Sequence, residues 1–346
     1  MTGVPDRMTA HAGAFGPPII EVHGLVKRYD DLMAVNGIDL TVFEGEIFGI
    51  LGPNGAGKTT ALEMIEGMRK PDQGTIEVAG IDVIARPREL RKVIGAQLQT
   101  TALFDYLNAA ELVELYCALY DVDDSSARID DLLKLVDLEE KRNAKVNELS
   151  GGQKQRLAIT LALVNDPKVV FLDEPTTGLD PAARRSLWGV IEGVRKRGTT
   201  VVLTTHYMEE AEVLCDRIAL FDRGRLIACD TTQALIRGLN MSATIHATIE
   251  QGHLDESTLA ELPAVTGVSV NLDELSLTTT SAQQSMIALL ELAARDRVTL
   301  ANLRSTQANL EDVFLNLTGR TYAAETEKPA ETPESGRRRR RGRNAA

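Results

Sequence analysis

Cysteine and aromatic residues are both scarce in this sequence. The three cysteines, Cys117, Cys215 and Cys229, are far apart and form no CxxC pair. This spacing argues against a zinc site or a disulfide framework and favours a reducing compartment. Aromatic residues make up only 4% of the chain, so the core is predicted to be mainly aliphatic.

Long apolar runs are missing as well. The most apolar stretch, Leu157–Val164, falls far short of the roughly 18 residues that a transmembrane helix needs. The first residues, with Pro5, Asp6 and Arg7, do not form the apolar centre of a signal peptide. We therefore expect a chain that neither crosses a membrane by itself nor is secreted.

The sequence has no excess of positive charge. Its 346 residues include 50 acidic and 38 basic side chains, which gives a formal net charge of −12. Because a broad nucleic-acid footprint requires a basic face, nucleic acid is not an expected partner. The 43% hydrophobic and 25% charged residues are ordinary for a globular chain, and the length predicts roughly two domains.

Short apolar runs alternate with helical patterns between Ile19 and Arg237, which predicts an α/β fold with a largely parallel sheet. Several runs lack strict alternation, as expected for strands that are covered on both faces. Residues 108–143 have only helical patterning and are predicted to be a helical insertion. The predicted strands are Ile19–Val22, Glu46–Leu51, Lys168–Leu172, Thr200–Thr204 and Arg217–Phe221. Helices are predicted after Gly57, Asn108, Ser150, Pro181 and His206.

The pattern changes near residue 240, where the order βαββαβ suggests a ferredoxin-like module. A capping box of Ser281 and Gln284 is predicted to start its second helix, which ends near Ala294. The other predicted elements are strands Ser242–Ile249, Val268–Leu272, Glu274–Thr279 and Val298–Leu303 and helix Leu254–Leu262. We therefore divide the chain into a flexible N-terminal arm (1–17), an α/β domain (18–238), a small α+β accessory domain (240–320) and a disordered Arg-rich tail (321–346).

The segment Gly52–Thr59 reads Gly-Pro-Asn-Gly-Ala-Gly-Lys-Thr and fits the phosphate-loop pattern, with an apolar strand before it and a helical pattern after it. Its backbone N–H groups would hold phosphate, Lys58 would reach the β- and γ-phosphates, and Thr59 would ligate Mg²⁺. The alternative is a glycine-rich turn. The predicted nucleotide-binding residues of this loop are Gly52, Pro53, Asn54, Gly55, Ala56, Gly57, Lys58, Thr59 and Thr60.

Two carboxylates, Asp173 and Glu174, end another buried strand. Ligands of doubly wound sheets bind beyond the carboxyl ends of the strands, so these acids could share the phosphate site. Asp173 suits Mg²⁺, and Glu174 could position and deprotonate an attacking water. His206 closes a third strand and is predicted to contact the γ-phosphate. Solvated acids and a packed histidine are the alternatives.

The segment Leu149–Gln153, read together with these motifs, resembles the signature of the ATP-binding subunits of ABC transporters, and the likeness covers residues 19–237. Ser150 is a plausible N-cap of a helix whose first glycines leave its N-terminus bare, which makes a second anion site. A simple loop-to-helix junction is the alternative. The resemblance implies a head-to-tail homodimer in which this segment caps ATP on the partner. The implied signature residues are Ser150, Gly151, Gly152 and Gln153.

The same resemblance implies roles for Tyr29, Asp180 and Gln99. Tyr29 matches the aromatic that stacks on adenine, although a strand-end aromatic is an equal alternative. Asp180 matches the loop that links the two sites of the dimer. Gln99 matches the glutamine that contacts Mg²⁺ or the attacking water; Gln97 lies on the same strand face, and the family register selects Gln99. The predicted catalytic residues are Lys58, Gln99, Glu174 and His206, and the predicted Mg²⁺ ligands are Thr59, Gln99 and Asp173.

Residues 34–38, 64–67 and 309–319 resemble drug exporter subunits of the daunorubicin-resistance type. That implies ATP hydrolysis coupled to export of a drug-like or lipophilic substrate by a separate membrane permease, at the cytoplasmic face of the cell membrane. A soluble ABC ATPase acting on nucleic acid or ribosomes is the alternative. The helix Asn309–Leu317 would pack the accessory domain or contact a dimer partner. Six arginines, Arg337–Arg341 and Arg343, would form a solvated terminus or a tether to anionic lipid.

Overall fold

A computed structural model of the protein describes residues 16–97, 103–239 and 243–320. The strands up to residue 239 are β1 (Pro18–Tyr29), β2 (Leu32–Phe43), β3 (Ile47–Leu51), β4 (Gln73–Val78), β5 (Ile81–Asp82), β6 (Ile94–Gln97), β7 (Val169–Asp173), β8 (Thr200–Thr205), β9 (Arg217–Asp222) and β10 (Arg225–Thr231). The helices of this part are α1 (Lys58–Ile65), α2 (Pro87–Val93), α3 (Ala109–Tyr120), α4 (Ser126–Leu135), α5 (Gly151–Ala162), α6 (Pro181–Lys196), α7 (Met208–Leu214) and α8 (Thr232–Arg237).

The central sheet has six strands in the order β10-β9-β3-β8-β7-β6. Its neighbours are parallel except for β9 and β10. Every residue of β3, β7 and β8 is buried, and the alternate side chains of β3 enter two different hydrophobic cores. Ile47 and Leu51 pack into one core, and Phe48 and Ile50 pack into the other. The predicted α/β fold with a doubly covered parallel sheet is confirmed.

A second, antiparallel sheet with the order β2-β1-β4-β5 was not predicted from the sequence. The predicted strand Ile19–Val22 is only the start of the 12-residue β1. Register shifts interrupt the pairing of β1 with β2 at four places, so the apolar residues do not keep a period of two. This sheet shares its hydrophobic core with one face of the central sheet.

Helices α3 and α4 and two short 3-10 turns form the region that the sequence predicts to be a helical insertion. Asn108 caps α3 with a reciprocal pair of bonds: its side chain accepts from the Glu111 N–H at 2.9 Å, and the Glu111 carboxylate accepts from the Asn108 N–H at 2.8 Å. Leu112 and Leu133 are buried against the central sheet's core. The apolar faces of these helices therefore attach them to the α/β body.

The last part of the chain has the element order β-α-β-β-α-β followed by one more helix. Its elements are β11 (Ala243–Gln251), α9 (Glu256–Ala260), β12 (Val265–Asn271), β13 (Glu274–Thr279), α10 (Ala282–Arg295), β14 (Thr299–Gln307) and α11 (Leu310–Thr318). The strands form an antiparallel sheet in the order β12-β13-β11-β14. The inward side chains of this sheet, with Leu259, Leu289 and Leu292, make a separate hydrophobic core.

One expectation for this region is wrong, and one of the two alternatives for its last helix is excluded. Ser281 does not cap α10 with its side chain; instead, its backbone N–H donates to Thr279 Oγ1 at 3.0 Å. Helix α11 does not pack the accessory sheet, because Leu310 and Phe314 are fully buried in the core of the α/β body. The Leu310 N–H also donates to Glu212 Oε1 on α7 at 2.7 Å. Within the described ranges, every helix is too short or too polar to cross a bilayer.

Candidate active site

The phosphate loop joins the buried strand β3 to helix α1. Gly57 lies at the N-cap of α1 with φ of +98°, and Gly55 has φ of +79°. A Cβ atom at position 57 would collide with the carbonyl oxygen of Ala34, and one at position 52 would lie 2.5 Å from the Phe221 carbonyl oxygen. Both positions therefore require glycine, since the backbone approaches two other strands. Pro53, Asn54 and Ala56 complete the turn, and Thr60 lies in the first turn of α1.

Lys58 is held on the inside of this loop. Its side chain is 4% exposed, and its Nζ donates to the carbonyl oxygens of Gly52 at 2.8 Å and Pro53 at 3.2 Å. Burial lowers the pKa of Lys58, while the nearby charges of Glu174 and Asp173 act in the opposite direction. The ammonium group therefore sits at the carboxyl edge of the central sheet, where it can meet an anion.

Asp173 ends β7 next to the start of α1. Its Oδ1 accepts from Thr59 Oγ1 at 3.3 Å and also from Thr204 Oγ1 on β8. Burial raises the pKa of Asp173, an effect that the two hydroxyl groups oppose. A hydroxyl and a carboxylate oxygen side by side are the hard oxygen ligands that Mg²⁺ prefers, so Thr59 and Asp173 fit the predicted metal role.

Glu174 follows directly, and its backbone is in the left-handed region with φ of +46°, a conformation that costs about 1–3 kcal/mol. Its N–H donates to Thr204 Oγ1 at 2.9 Å, and its Oε2 accepts from Thr177 Oγ1 at 3.0 Å. Burial alone would raise the pKa of Glu174, but hydrogen bonding to His206 and the charge of Lys58 lower it to about 2. Glu174 is therefore ionised at neutral pH.

The loop after β8 brings His206 to the same carboxylate. His206 Nδ1 lies 3.1 Å from Glu174 Oε2, and Lys58 Nζ lies 3.6 Å from Glu174 Oε1. The histidine side chain is only 16% exposed. The structure thus brings together Lys58, Asp173, Glu174 and His206 from three parallel strand ends, as the sequence pattern indicated they would be.

The predicted signature residues lie at the exposed start of α5. Ser150 Oγ accepts from the Gln153 N–H at 3.3 Å, and Gln153 Oε1 accepts from the Ser150 N–H at 2.9 Å. A Cβ atom at Gly151 would meet nothing within 4 Å, and one at Gly152 would lie 3.3 Å from the Ala183 Cβ on α6. The helix start is therefore capped by its own residues and open in front of Gly151, which suits an anion brought by another molecule.

Asp180 caps the neighbouring helix. Its Oδ1 accepts from the N–H groups of Ala182 and Ala183, each at 2.9 Å, and the residue is exposed. Because Gly152 packs against Ala183, the starts of α5 and α6 form one surface. The two predicted dimer contacts, Ser150 and Asp180, thus lie at the starts of adjacent helices.

Two other predicted residues are less closely tied to the site. Tyr29 ends β1, is 37% exposed, and has Lys27 Nζ at 5.7 Å and the Arg69 Cζ at 5.4 Å from its ring centre. Gln99 lies outside the described residues. Its near neighbour Gln97 ends β6 and is buried.

Thr204 is a site residue that the sequence analysis missed. Its single hydroxyl binds both Asp173 Oδ1 and the Glu174 N–H, so it orients the two acids together. The signal was weak, because Thr204 and Thr205 look like ordinary β-branched strand residues. Only the pairing of β7 with β8, which sets Asp173 opposite Thr204, reveals this role.

Comparisons with known proteins agree with this geometry. Residues 35–177 match the ABC transporter family. The Nod factor export ATP-binding protein I of Burkholderia lata is 42% identical over 304 residues, which are 87% of this chain and 97% of that relative. The daunorubicin resistance ATP-binding protein DrrA3 of Streptomyces coeruleorubidus is 38% identical over 307 residues, covering 87% of this chain and 96% of its own.

Solved structures show the same fold. A dimeric ATP-binding cassette in a post-hydrolysis state, bound to ADP and Pi, is 31% identical with a TM-score of 0.55, over 61% of this chain and 98% of that one. The cbiO1 protein of an ABC transporter complex from Clostridium perfringens is 30% identical with a TM-score of 0.58, over 65% of this chain and 95% of that one.

Proposed function

This chain belongs to the ATP-binding subunits of ABC transporters, and from that premise we propose that it hydrolyses ATP to power export through a separate integral-membrane permease. The observation that carries the proposal is the ionised Glu174, whose side chain is only 9% exposed and lies between Lys58 of the phosphate loop and His206. ATP would bind with its phosphates at the N–H groups of the loop and at Lys58, and with its adenine on Tyr29.

Glu174 would orient the attacking water and accept its proton. A carboxylate with a pKa of about 2 is a weak base. Because Lys58 contributes to that low pKa, phosphates that engage Lys58 would raise the pKa of Glu174 and make it a stronger base. His206 would hold the carboxylate and meet the γ-phosphate. Mg²⁺ is the expected cofactor, held by Thr59 and Asp173 together with Gln99, and it would neutralise charge on the phosphates.

We further propose that two copies associate head to tail, so that Ser150, Gly151, Gly152 and Gln153 of one copy meet ATP on the other, with Asp180 at the contact between the sites. The exposed, open start of α5 supports this arrangement. A mixture of two inactive variants tests it. Lys58→Ala removes the phosphate-binding cation, and Ser150→Asp keeps a good N-cap but sets a negative charge against phosphate.

Each variant alone should be inactive, because all of its composite sites are damaged. An equal mixture should recover about a quarter of the wild-type rate, since half of the dimers are mixed and each has one intact site. Activity that does not rise above that of either variant would contradict the head-to-tail dimer. That outcome would not contradict ATP binding by the single chain, which is measured separately.

The export role comes from the relatives, whose names describe Nod factor export and daunorubicin resistance. Since their cargoes differ, we propose that the permease selects the substrate and that this subunit, at the cytoplasmic face of the membrane, serves a drug-like or lipophilic one. Co-purification of an integral-membrane protein with the tagged chain tests the partnership. The alternative of an ATPase acting on nucleic acid or ribosomes is set aside, because these relatives are export subunits and the net charge of −12 opposes it.

The Arg-rich tail lies outside the described residues, and its proposed role rests on sequence alone. Each arginine near an anionic membrane contributes up to about 1 kcal/mol, so six could tether this acidic chain beside its permease. Sedimentation with anionic vesicles, at low and high salt, would compare the full chain with one that ends at Gly336. Equal binding of both would rule out the tether.

A further inference from the structure

A buried carboxylate without a role in the proposed chemistry lies on α7, four residues after His206. Glu210 is 0% exposed, and its Oε1 accepts from Trp188 Nε1 on α6 at 3.0 Å. Trp188 is the single tryptophan of the sequence. One hydrogen bond therefore joins the helix that Asp180 caps to the helix that follows His206.

The surroundings of Glu210 come from the segments that follow β7 and β8 and from α6. Thr176 belongs to the loop between Glu174 and Asp180, and Thr205 directly precedes His206. Burial raises the pKa of Glu210, and Thr205, Trp188, Thr176 and the charge of Arg184 act against that rise. Among the described residues, Glu210 Oε2 has no hydrogen-bond partner in good geometry, so the carboxylate is only partly satisfied.

A second contact links the same two helices. The Arg184 guanidinium on α6 lies 4.1 Å from the centre of the Tyr207 ring, which directly follows His206. The Tyr207 N–H donates to Thr205 Oγ1 at 2.9 Å. Arg184 and Trp188 are one helical turn apart, so α6 contacts the N-cap and the first turn of α7, which follow His206, at two successive points.

A purely structural role does not account for this arrangement. Burying a carboxylate that lacks a full set of partners is costly, and a neutral side chain of the same shape is often as stable or more stable. Trp188 lies eight positions after Asp180, a distance of about 12 Å along a rigid helix. A shift of the Asp180 loop would thus reach Glu210 through α6.

We propose that Glu210 is a positioning residue for ATP hydrolysis, which couples the Asp180 loop to the contact between His206 and Glu174 through its bond to Trp188. This inference rests on the proposed ATP hydrolysis. Glu210 itself touches neither phosphate nor water in this scheme. Its carboxylate fixes the position of α6 relative to the His206 loop, so that dimer contacts at Asp180 set the position of His206.

The test compares Glu210→Gln with Glu209→Gln in the full chain. Both changes replace a carboxyl group by an amide at adjacent positions of α7, but Glu209 is exposed. We expect Glu210→Gln to lower kcat about tenfold or more and to leave KM for ATP within about twofold, because displacing a catalytic group by about 1 Å can cost about 10²-fold. Glu209→Gln should match the wild type, and the Tm of Glu210→Gln should be equal or higher.

Trp188→Phe provides the second variant, since it removes the indole N–H and keeps the aromatic ring. It should lower kcat in the same way, and the Glu210→Gln, Trp188→Phe double variant should be no slower than the slower single variant. Equal kcat values for Glu210→Gln and Glu209→Gln would overturn the proposal. So would fully additive losses, or a loss of turnover that only follows a lowered Tm.

Trp188 fluorescence measures the coupling between the Asp180 loop and the His206 loop in the unsubstituted chain. We expect ATP to shift the emission of the wild-type chain, and Glu210→Gln to reduce that shift although ATP still binds in calorimetry. An emission spectrum that bound ATP leaves unchanged would overturn the coupling and leave the proposed hydrolysis standing. A wild-type chain that neither binds nor hydrolyses ATP would refute the proposed function and this inference with it.

Discussion

The α/β body and the β11–β14 region of this molecule differ in the kinds of polar side chain that they bury. In the α/β body, the central strands are buried on both faces. The described residues of this body include six buried ionisable side chains: Glu46, Lys58, Glu66, Asp173, Glu210 and Arg217. In the β11–β14 region, burial alternates along β11 and β13, and the buried polar residues described in this region are only Thr279 and Ser285.

Strand direction explains the difference. Parallel strands end at the same edge, so β3, β7 and β8 deliver Lys58, Glu174 and His206 to one place. Antiparallel strands send alternate ends to opposite edges. Alternate residues of β11 and β13 are only partly buried, so one face of this sheet is partly open. The parallel arrangement brings ionisable side chains together at one site, while the antiparallel arrangement makes a stable, largely uncharged core.

The largest effect that this comparison predicts is on turnover. Glu174→Gln should lower ATP hydrolysis by about 10²–10⁴-fold, the usual value of general-base catalysis, while ATP binding and the ATP-bound dimer persist. Glu274→Gln makes the same chemical change at the exposed first residue of β13 and should leave the rate unchanged. A steady-state assay of both variants decides, and near-normal hydrolysis by Glu174→Gln would remove this residue from the mechanism.

The second effect is on stability and should stay within the β11–β14 region. Leu277 is fully buried in its separate core, so Leu277→Ala should lower the free energy of unfolding of that region by about 2–5 kcal/mol. Leu272 is 99% exposed, and Leu272→Ala should change it by no more than about 0.5 kcal/mol. Calorimetric melting with and without ATP would show this; a loss of ATP binding in Leu277→Ala would mean that the two regions depend on each other.

The third effect is on nucleotide affinity. Lys58→Ala should weaken ATP binding by about 1.5–3 kcal/mol, because a charged hydrogen-bond donor to phosphate is lost. Lys168 is exposed at the opposite end of β7, and Lys168→Ala removes the same charge from the other edge of the sheet. Calorimetric titration should find its affinity unchanged. If both variants bound equally weakly, general charge rather than the strand-end position would govern binding.

The last effect concerns pH. Glu66 is 4% exposed, and burial, helped by the charges of Asp173 and Glu63, raises its pKa from 4.5 to about 8. Between these two values the folded chain binds more protons than the unfolded one, so this group makes stability fall as pH rises, by at most about 1.4 kcal/mol per pH unit. Glu66→Gln cannot lose a proton.

The stability of Glu66→Gln relative to the wild type should therefore grow between pH 5 and pH 8, as measured by denaturant unfolding at several pH values. Glu77→Gln, on the exposed side of β4, serves as the control and should run parallel to the wild type. A constant difference between Glu66→Gln and the wild type over this range would show that Glu66 does not titrate there.

The parts that the sequence predicts well are those in which one local signal decides the outcome. Doubly covered strands such as β3 and β7 are continuous apolar runs, and Gly55 and Gly57 of the phosphate loop are required by their own backbone angles. The antiparallel sheet escaped prediction because bulges disturb the alternation in β1. The Ser281 cap failed because Thr279 Oγ1 accepts the Ser281 N–H instead, which a local pattern does not encode.

The missed site residues depend on contacts between distant parts of the chain. Thr204 acquires its position only when β8 pairs with β7, and Glu210 meets Trp188 only when α7 packs beside α6. No spacing rule links either pair in sequence. The signature and the phosphate loop, in contrast, are contiguous segments whose chemistry depends on residues that are neighbours in the sequence.

The crowding around the Ala34 carbonyl has a consequence for how random loss-of-function alleles would be interpreted. The backbone at both Gly57 and Gly224 comes close to this oxygen, and a Cβ added at position 224 would lie 2.8 Å from it. The Gly224 N–H also donates to Ala56 O, and the Gly224 carbonyl accepts from the Asn36 N–H. Three segments remote in sequence therefore share one steric constraint. A genetic screen should recover alleles at Gly224, in the hairpin between β9 and β10, with the same phenotype as alleles in the phosphate loop, and suppressors of either should map to β2.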